Sequence, residues 1–254
     1  MAPQESRPER PPKEMQQVYR IFGLDEKEIA QRLKGIQEGG LPVRLTVRSS
    51  FPEVHLEINS KSQDRAGKMD LEGTIETVRD RLGAYVFSSH GEPMELRVGN
   101  LLRQEGLTLS VAESCTGGLI GHLLTEVAGS SGYFQGGAVV YSNTSKVNLL
   151  AVSEDTIQHF GAVSDETARE MARGVRVCFK TDLGIAVTGI AGPDGGSEEK
   201  PVGTVHIALA AGDEIFSEKY RFQGKRKHVK LQTAMMALDW VRRYICGYSF
   251  LSGL

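Results

Sequence analysis

The chain has few cysteines, no long apolar run and almost no net charge, and each shortage removes a class of protein. Cys115, Cys178 and Cys246 are its 3 cysteines, far apart in 254 residues. They suggest neither a disulfide framework nor a zinc site and fit a reducing compartment, so a cytoplasmic protein is expected. No apolar run approaches the roughly 18 residues that a spanning helix needs, so no membrane partner is expected. The opening MAPQESRPERPPKEMQQ lacks the apolar stretch of a secretory signal. A formal charge of -2 gives no global attraction to nucleic acid or to an acidic membrane. The 6 histidines are scattered, with no HExxH pair, so no metal site is read; no cofactor is expected either.

What remains is an ordinary soluble composition, 40% apolar and 24% charged, long enough for one large domain or two modest ones. Residues 1–14 carry four of the 9 prolines among alternating charges and read as a disordered tail. Residues 15–92 read as a small α+β domain. LDEKEIAQRLKGI has helical spacing with Asp25 as a candidate cap. LPVRLTVRSSFPEVHLEIN alternates as a hairpin broken at Ser-Ser-Phe-Pro, and MDLEGTIETVRDRLGAYVF is a helix running into a strand. SSHGEPM (88–94) reads as a linker. Over 93–254 strands alternate with helices, which predicts a three-layer α/β/α domain. LGIAVTG and VGTVHIALAAG are near-continuous apolar runs suited to buried central strands.

Four stretches carry candidate chemistry. In AESCTGG, Ser114 sits between a strand and a helix whose free N–H groups suit a phosphate or an oxyanion. Gly117 and Gly118 would let a ligand approach the backbone. A helix cap is the default reading of Ser114, and Cys115 is the rival nucleophile, although a small buried cysteine is the commoner case. YSNTSK follows a strand with Tyr141 and supplies Lys146. No histidine lies in these motifs, so lysine is the available base, provided that desolvation or positive charge lowers its pKa. TGIAGPDGGSEEKPVGT (188–204) has five glycines and two prolines between two apolar strands, the mark of a binding loop, without a P-loop ending. EKYRFQGKRKHVK (218–230) carries six Lys or Arg residues; Arg226 could recognise a phosphate or carboxylate, or the run could be a solvated basic face.

Together and in this order, AESCTGG, GSSGYFQGG, YSNTSK, GAVS, TGIAGPDGGSEEKPVGTV and the closing F-x-G-x-R closely resemble the C-terminal domain of the CinA family (competence/damage-inducible protein A) over residues 93 to about 246. The resemblance implies a nicotinamide-nucleotide amidohydrolase that converts nicotinamide mononucleotide to nicotinic acid mononucleotide and ammonia. It implies Ser114 as nucleophile and Lys146 as base, with Tyr141 in the catalytic group. Ser131, Thr188, Gly117, Gly118, Gly189 and Arg226 would bind substrate. The family's usual Gly-Asp-Arg is Gly-Lys-Arg here, and Lys230 stands where an arginine is frequent. A homodimer is implied as well.

Residues 15–92 resemble the KH-like domain that precedes this domain in full-length members. Nothing in the sequence corresponds to those members' large N-terminal domain, which resembles molybdopterin-binding proteins and is associated with ADP-ribose pyrophosphatase activity. RNA-binding KH domains grip the backbone with a Gly-x-x-Gly loop. No two of Gly23, Gly35, Gly39, Gly40, Gly67, Gly73, Gly83 and Gly91 are so spaced, so a packing or dimer-forming module without nucleic-acid partner is expected. A non-catalytic nucleotide sensor and an RNA-binding module are the alternatives.

Overall fold

The computed structural model describes residues 15–36, 43–60 and 65–250. The tail expected over 1–14 lies outside the described residues, as do Gly39 and Gly40.

The N-terminal unit comprises β1 (Met15–Ile21), α1 (Glu26–Arg32), β2 (Val43–Ser50), β3 (Glu53–Ser60), α2 (Arg65–Leu82) and β4 (Val86–Ser88). Its four-stranded sheet has the order β2-β3-β1-β4, with each neighbouring pair antiparallel. Asp25 caps α1 in a reciprocal capping box with Glu28. Ser50 pairs with Glu53, so the hairpin turn is only Phe51 and Pro52. The interior strand β1 was not anticipated. Tyr19 and Ile21 are both 0% exposed, but two alternating apolar residues beside Gln16, Gln17 and Arg20 are too short a pattern to announce a strand.

The second unit comprises α3 (Met94–Glu105), β5 (Leu109–Glu113), α4 (Leu119–Thr125), β6 (Phe134–Val139), α5 (Asn143–Leu150), α6 (Glu154–Phe160), α7 (Asp165–Phe179), β7 (Leu183–Gly189), β8 (Thr204–Ala211), β9 (Glu214–Arg221) and α8 (Arg226–Ile245). The five strands have the order β6-β5-β7-β8-β9, the first three parallel and the last two antiparallel. Alternation sends large residues to one face and small ones to the other. Val111, Ile185, Val187, Ile207 and Leu209 join the core with α3, α4 and α8. Ala112, Ala186, Ala208 and Ala210 meet Ala168, Met171 and Val175 of α7. These small side chains let α7 lie close: a Cβ on Gly184 would come 2.4 Å from the Ala172 carbonyl oxygen. The chain is thus α/β with a small α+β unit before it. Among the described residues no helix is long and apolar enough to cross a membrane.

The stretch 88–94 is not a free linker. Ser88 and Met94 are buried, and Gln17 Nε2 donates to the Ser89 carbonyl at 2.6 Å. Phe22 and Phe87 enter the core of the second unit. Buried Asp239 accepts from Arg242 and Arg243, and both guanidinium groups also donate to the Ala84 carbonyl, at 2.6 and 3.2 Å. Gly and Pro in the sequence marked a turn here; burial turned it into a joint.

After β5 the chain crosses one face of the sheet through α4 to β6. It returns along the other face through α5, α6 and α7 to β7, on the far side of β5. The carboxyl ends of β5, β6 and β7 therefore border a crevice at the point where strand order reverses, the usual place for a ligand in such sheets.

Candidate active site

That crevice holds a cleft of about 260 Å³, bordered by residues that follow each of the three parallel strands. Ser114 and Cys115 come from the end of β5, Tyr141 and Lys146 from the segment after β6, and Thr188, Gly189, Gly192 and Asp194 from the end of β7 and its glycine-rich loop. Arg226, the first residue of α8, closes one side. No histidine borders it.

Ser114 is 7% exposed and Lys146 1%. Ser142 caps α5, so Lys146 falls on that helix's inward side, and its Nζ lies 3.2 Å from Ser114 Oγ. The amine also donates to the Val140 carbonyl at 2.8 Å, which fixes its direction. Burial lowers the Lys146 pKa from its ordinary value, opposed by the charge that Cys115 would carry as a thiolate. That opposition is idle near neutrality, because burial pushes the Cys115 thiol up to about 12. A thiol so protonated is a poor nucleophile. Of the two rivals in this turn, the serine has the base and the cysteine has none.

The entrance to α4 differs from expectation. Its N–H groups were read as a seat for a substrate anion, but Glu113 occupies them. The buried Glu113 carboxylate accepts from Gly118 N at 2.9 Å, Ile120 N at 3.1 Å and Gly121 N at 2.8 Å. Negative charge there meets the positive end of the helix. Ser114 N donates to the Val187 carbonyl and Gly117 N to the Ser114 carbonyl. Within the turn this leaves the N–H groups of Cys115 and Thr116 as candidate oxyanion donors. Ser114 is not the cap of α4; Gly118 is, in left-handed conformation at φ 94°. Glu113 was missed, and its signal was slight: an acidic residue ending a strand shortly before a helix.

Thr188 is buried, and its hydroxyl donates to the Ala162 carbonyl at 2.7 Å, holding a neighbouring wall of the cleft. Gly189 is tight against β8, where a Cβ would meet the Thr204 carbonyl oxygen at 2.7 Å. Arg226 donates to the Gly192 carbonyl at 2.9 Å and to the Tyr141 hydroxyl at 3.0 Å. Tyr141, placed with the catalytic group from sequence, is 62% exposed, and its hydroxyl is bonded to Arg226. Gly117 and Gly118 do not border the cleft: Gly117 faces the Lys230 amine, and Gly118 N–H is committed to Glu113.

Ser131 is a correction. It lies exposed on a single 3-10 turn, Ser130–Gly132, just before β6 begins. β5 and β6 are parallel, so this is the end of the sheet opposite the carboxyl end where Ser114 lies. Sequence order placed GSSGYF beside the other motifs; strand direction carries it away.

Residues 91–245 match the family model described as CinA C-terminal domain, and residues 16–88 match that of the damage-inducible protein CinA KH domain. A CinA-like protein of Citrifermentans bemidjiense is 46% identical over 228 residues, 90% of this chain and 54% of that protein. A CinA-like protein of Geobacter sulfurreducens is 45% identical over 228 residues, 89% of this chain and 55% of that one. The chain thus spans about half the length of the curated relatives it matches. Among solved structures, the competence/damage inducible protein CihA of Agrobacterium tumefaciens is 42% identical with a TM-score of 0.58, covering 59% of this chain and 92% of that one. A CinA superfamily protein of Klebsiella pneumoniae is 32% identical with a TM-score of 0.59, covering 61% and 97%.

Proposed function

The chain belongs to the CinA family, and from that premise we propose that it hydrolyses the carboxamide of nicotinamide mononucleotide, giving nicotinic acid mononucleotide and ammonia. The observation that carries this reading is the buried contact of 3.2 Å between Lys146 Nζ and Ser114 Oγ at the floor of the cleft. Burial lowers the Lys146 pKa and so favours the neutral amine, which can take the hydroxyl proton that a serine nucleophile must lose.

The reaction then runs in two halves. Ser114 Oγ attacks the carboxamide carbon while its proton passes to Lys146 Nζ. The C–N bond breaks, and that proton leaves with the amine as ammonia. Water attacks the acyl-enzyme, gives a proton to Lys146, and the proton returns to Ser114 Oγ as the acid departs. The oxyanion of each half falls to the N–H groups of Cys115 and Thr116. Arg226, with guanidinium donors beyond the two it uses on Gly192 and Tyr141, receives the phosphate at the mouth.

Incubating the purified chain with nicotinamide mononucleotide should release ammonia and nicotinic acid mononucleotide in equal amounts. Tight binding of the nucleotide without ammonia would make the chain a sensor and defeat the enzymatic reading.

A further inference from the structure

Two basic side chains, Lys146 and Arg226, and one acidic side chain, Asp194, border the cleft. Lys146 is at the buried floor and Arg226 is exposed at the mouth. Asp194 is the single carboxylate, and it was not among the residues picked out from sequence. It sits in the glycine-rich loop, two residues beyond the Gly192 carbonyl that receives the Arg226 N–H. That loop is held at several points. Ser197 N donates to the Lys200 carbonyl at 2.9 Å, and Lys200 Nζ donates to the Phe160 carbonyl at 2.8 Å. Gly192 packs so near Val202 that a Cβ would come within 2.6 Å of its methyl group. Asp194 itself forms no hydrogen bond or ion pair among the described residues, and its side chain is exposed.

We propose that Asp194 selects for a positively charged ring, reading the oxidised pyridinium of the nucleotide against neutral rings of the same shape. This rests on the amidase reading above and deepens it. The substrate is charged in sequence along its length: a neutral carboxamide, a cationic ring, then a phosphate dianion. The cleft offers a partner for each part, with the Ser114–Lys146 pair at the buried floor and a carboxylate and a guanidinium at the exposed rim. A carboxylate within contact range of a cation attracts it even at the high effective dielectric of an open cleft. Neutral dihydropyridine nucleotide, with the same ribose and phosphate, gains nothing from that carboxylate.

The test compares nicotinamide mononucleotide as substrate with its reduced form as competitive inhibitor. Asp194→Asn should raise KM for the oxidised nucleotide about tenfold with kcat little altered, while the inhibition constant of the reduced nucleotide stays within about twofold. Asp194→Glu, which keeps the charge, should retain most of the preference, and added salt should erode it. Equal weakening of both ligands by Asp194→Asn, or an unchanged KM, overturns the proposal. An unaltered chain that releases no ammonia defeats the amidase reading itself, a result distinguishable from failure of the Asp194 variants alone.

Discussion

At the floor of the cleft Ser114 and Lys146 are 7% and 1% exposed, and each is tied to backbone in a strand or directly after one. Ser114 N bonds the Val187 carbonyl, Lys146 Nζ bonds the Val140 carbonyl, and Glu113 holds the start of α4 behind them. At the mouth Tyr141 is 62% exposed, Asp194 and Arg226 are exposed as well, and Arg226 donates to the Tyr141 hydroxyl and to the Gly192 carbonyl of the glycine-rich loop. The two regions teach different lessons about charge. Burial at the floor changes what a group is, turning a lysine toward its neutral form. Exposure at the mouth leaves charges intact and lets them sort ligands at modest energy. Floor substitutions should therefore act on kcat by orders of magnitude, and mouth substitutions on KM by small factors.

The largest effect should come from Ser114→Ala. Loss of a nucleophile costs on the order of 10⁴-fold or more in rate. The hydroxyl does not cap α4, so the variant should keep its thermal midpoint. Ammonia release at a tenth of the unaltered rate would remove Ser114 from the chemistry.

Lys146→Arg should be next, with turnover down on the order of 10³-fold. Guanidinium keeps the charge but does not deprotonate near neutrality. In the unaltered protein the active form has neutral Lys146, so the rate should rise with pH through an inflection below 10.5 and level off above it. The sign for stability follows from the same shift. The unfolded chain keeps the proton up to its ordinary value while the folded chain releases it earlier, so stability contributed here rises with pH between the two. A fully active arginine variant, or a rate that falls as pH rises toward 10, would contradict the assignment.

Glu113→Gln probes whether the floor is held from behind. The amide keeps the shape but aims an NH₂ group where three N–H donors converge, leaving buried donors unsatisfied at about 1–3 kcal/mol. The denaturant midpoint should fall, and kcat should drop about tenfold as the turn bearing Ser114 shifts. An unchanged midpoint would mean that the carboxylate does not hold the helix entrance, reopening it as a substrate site.

Local signals were read well and spatial ones poorly. β7 coincides with the apolar run LGIAVTG, and Asp25 caps α1 as its position before a helically spaced stretch implied. Those features depend on residues within a turn or two. The Ser114–Lys146 pair was legible through the family's motif order, since no periodicity brings residues 114 and 146 together. Glu113 escaped because its role appears only when the chain curls back and α4 begins above it. Ser131 was misplaced because motif order carries no information about which end of a parallel strand a turn occupies. The short helix α6 went unannounced; EDTIQHF holds only Ile157 and Phe160 as apolar residues, too few for a periodic stripe.

The smallest effect should fall on Tyr141, and it is the one that separates the two regions most sharply. Sequence reasoning put this residue with the nucleophile and the base. Its hydroxyl instead accepts from Arg226 Nη2 at 3.0 Å, on a side chain largely in solvent. If that contact is its whole contribution, Tyr141→Phe loses one exposed hydrogen bond, about 0.5–1.5 kcal/mol, and KM for the nucleotide rises by roughly two- to tenfold. The kcat and its pH inflection should not move, because neither proton of the Ser114–Lys146 exchange touches the phenol. Arg226→Ala should raise KM further, since a charged phosphate contact is worth about twice a neutral one. Once Arg226 is gone, the added Tyr141→Phe change should have no effect, because the hydroxyl has no guanidinium left to brace. Additive losses in that double variant would give Tyr141 its own contact with substrate. A hundredfold fall in kcat with a displaced inflection would return it to the floor of the cleft.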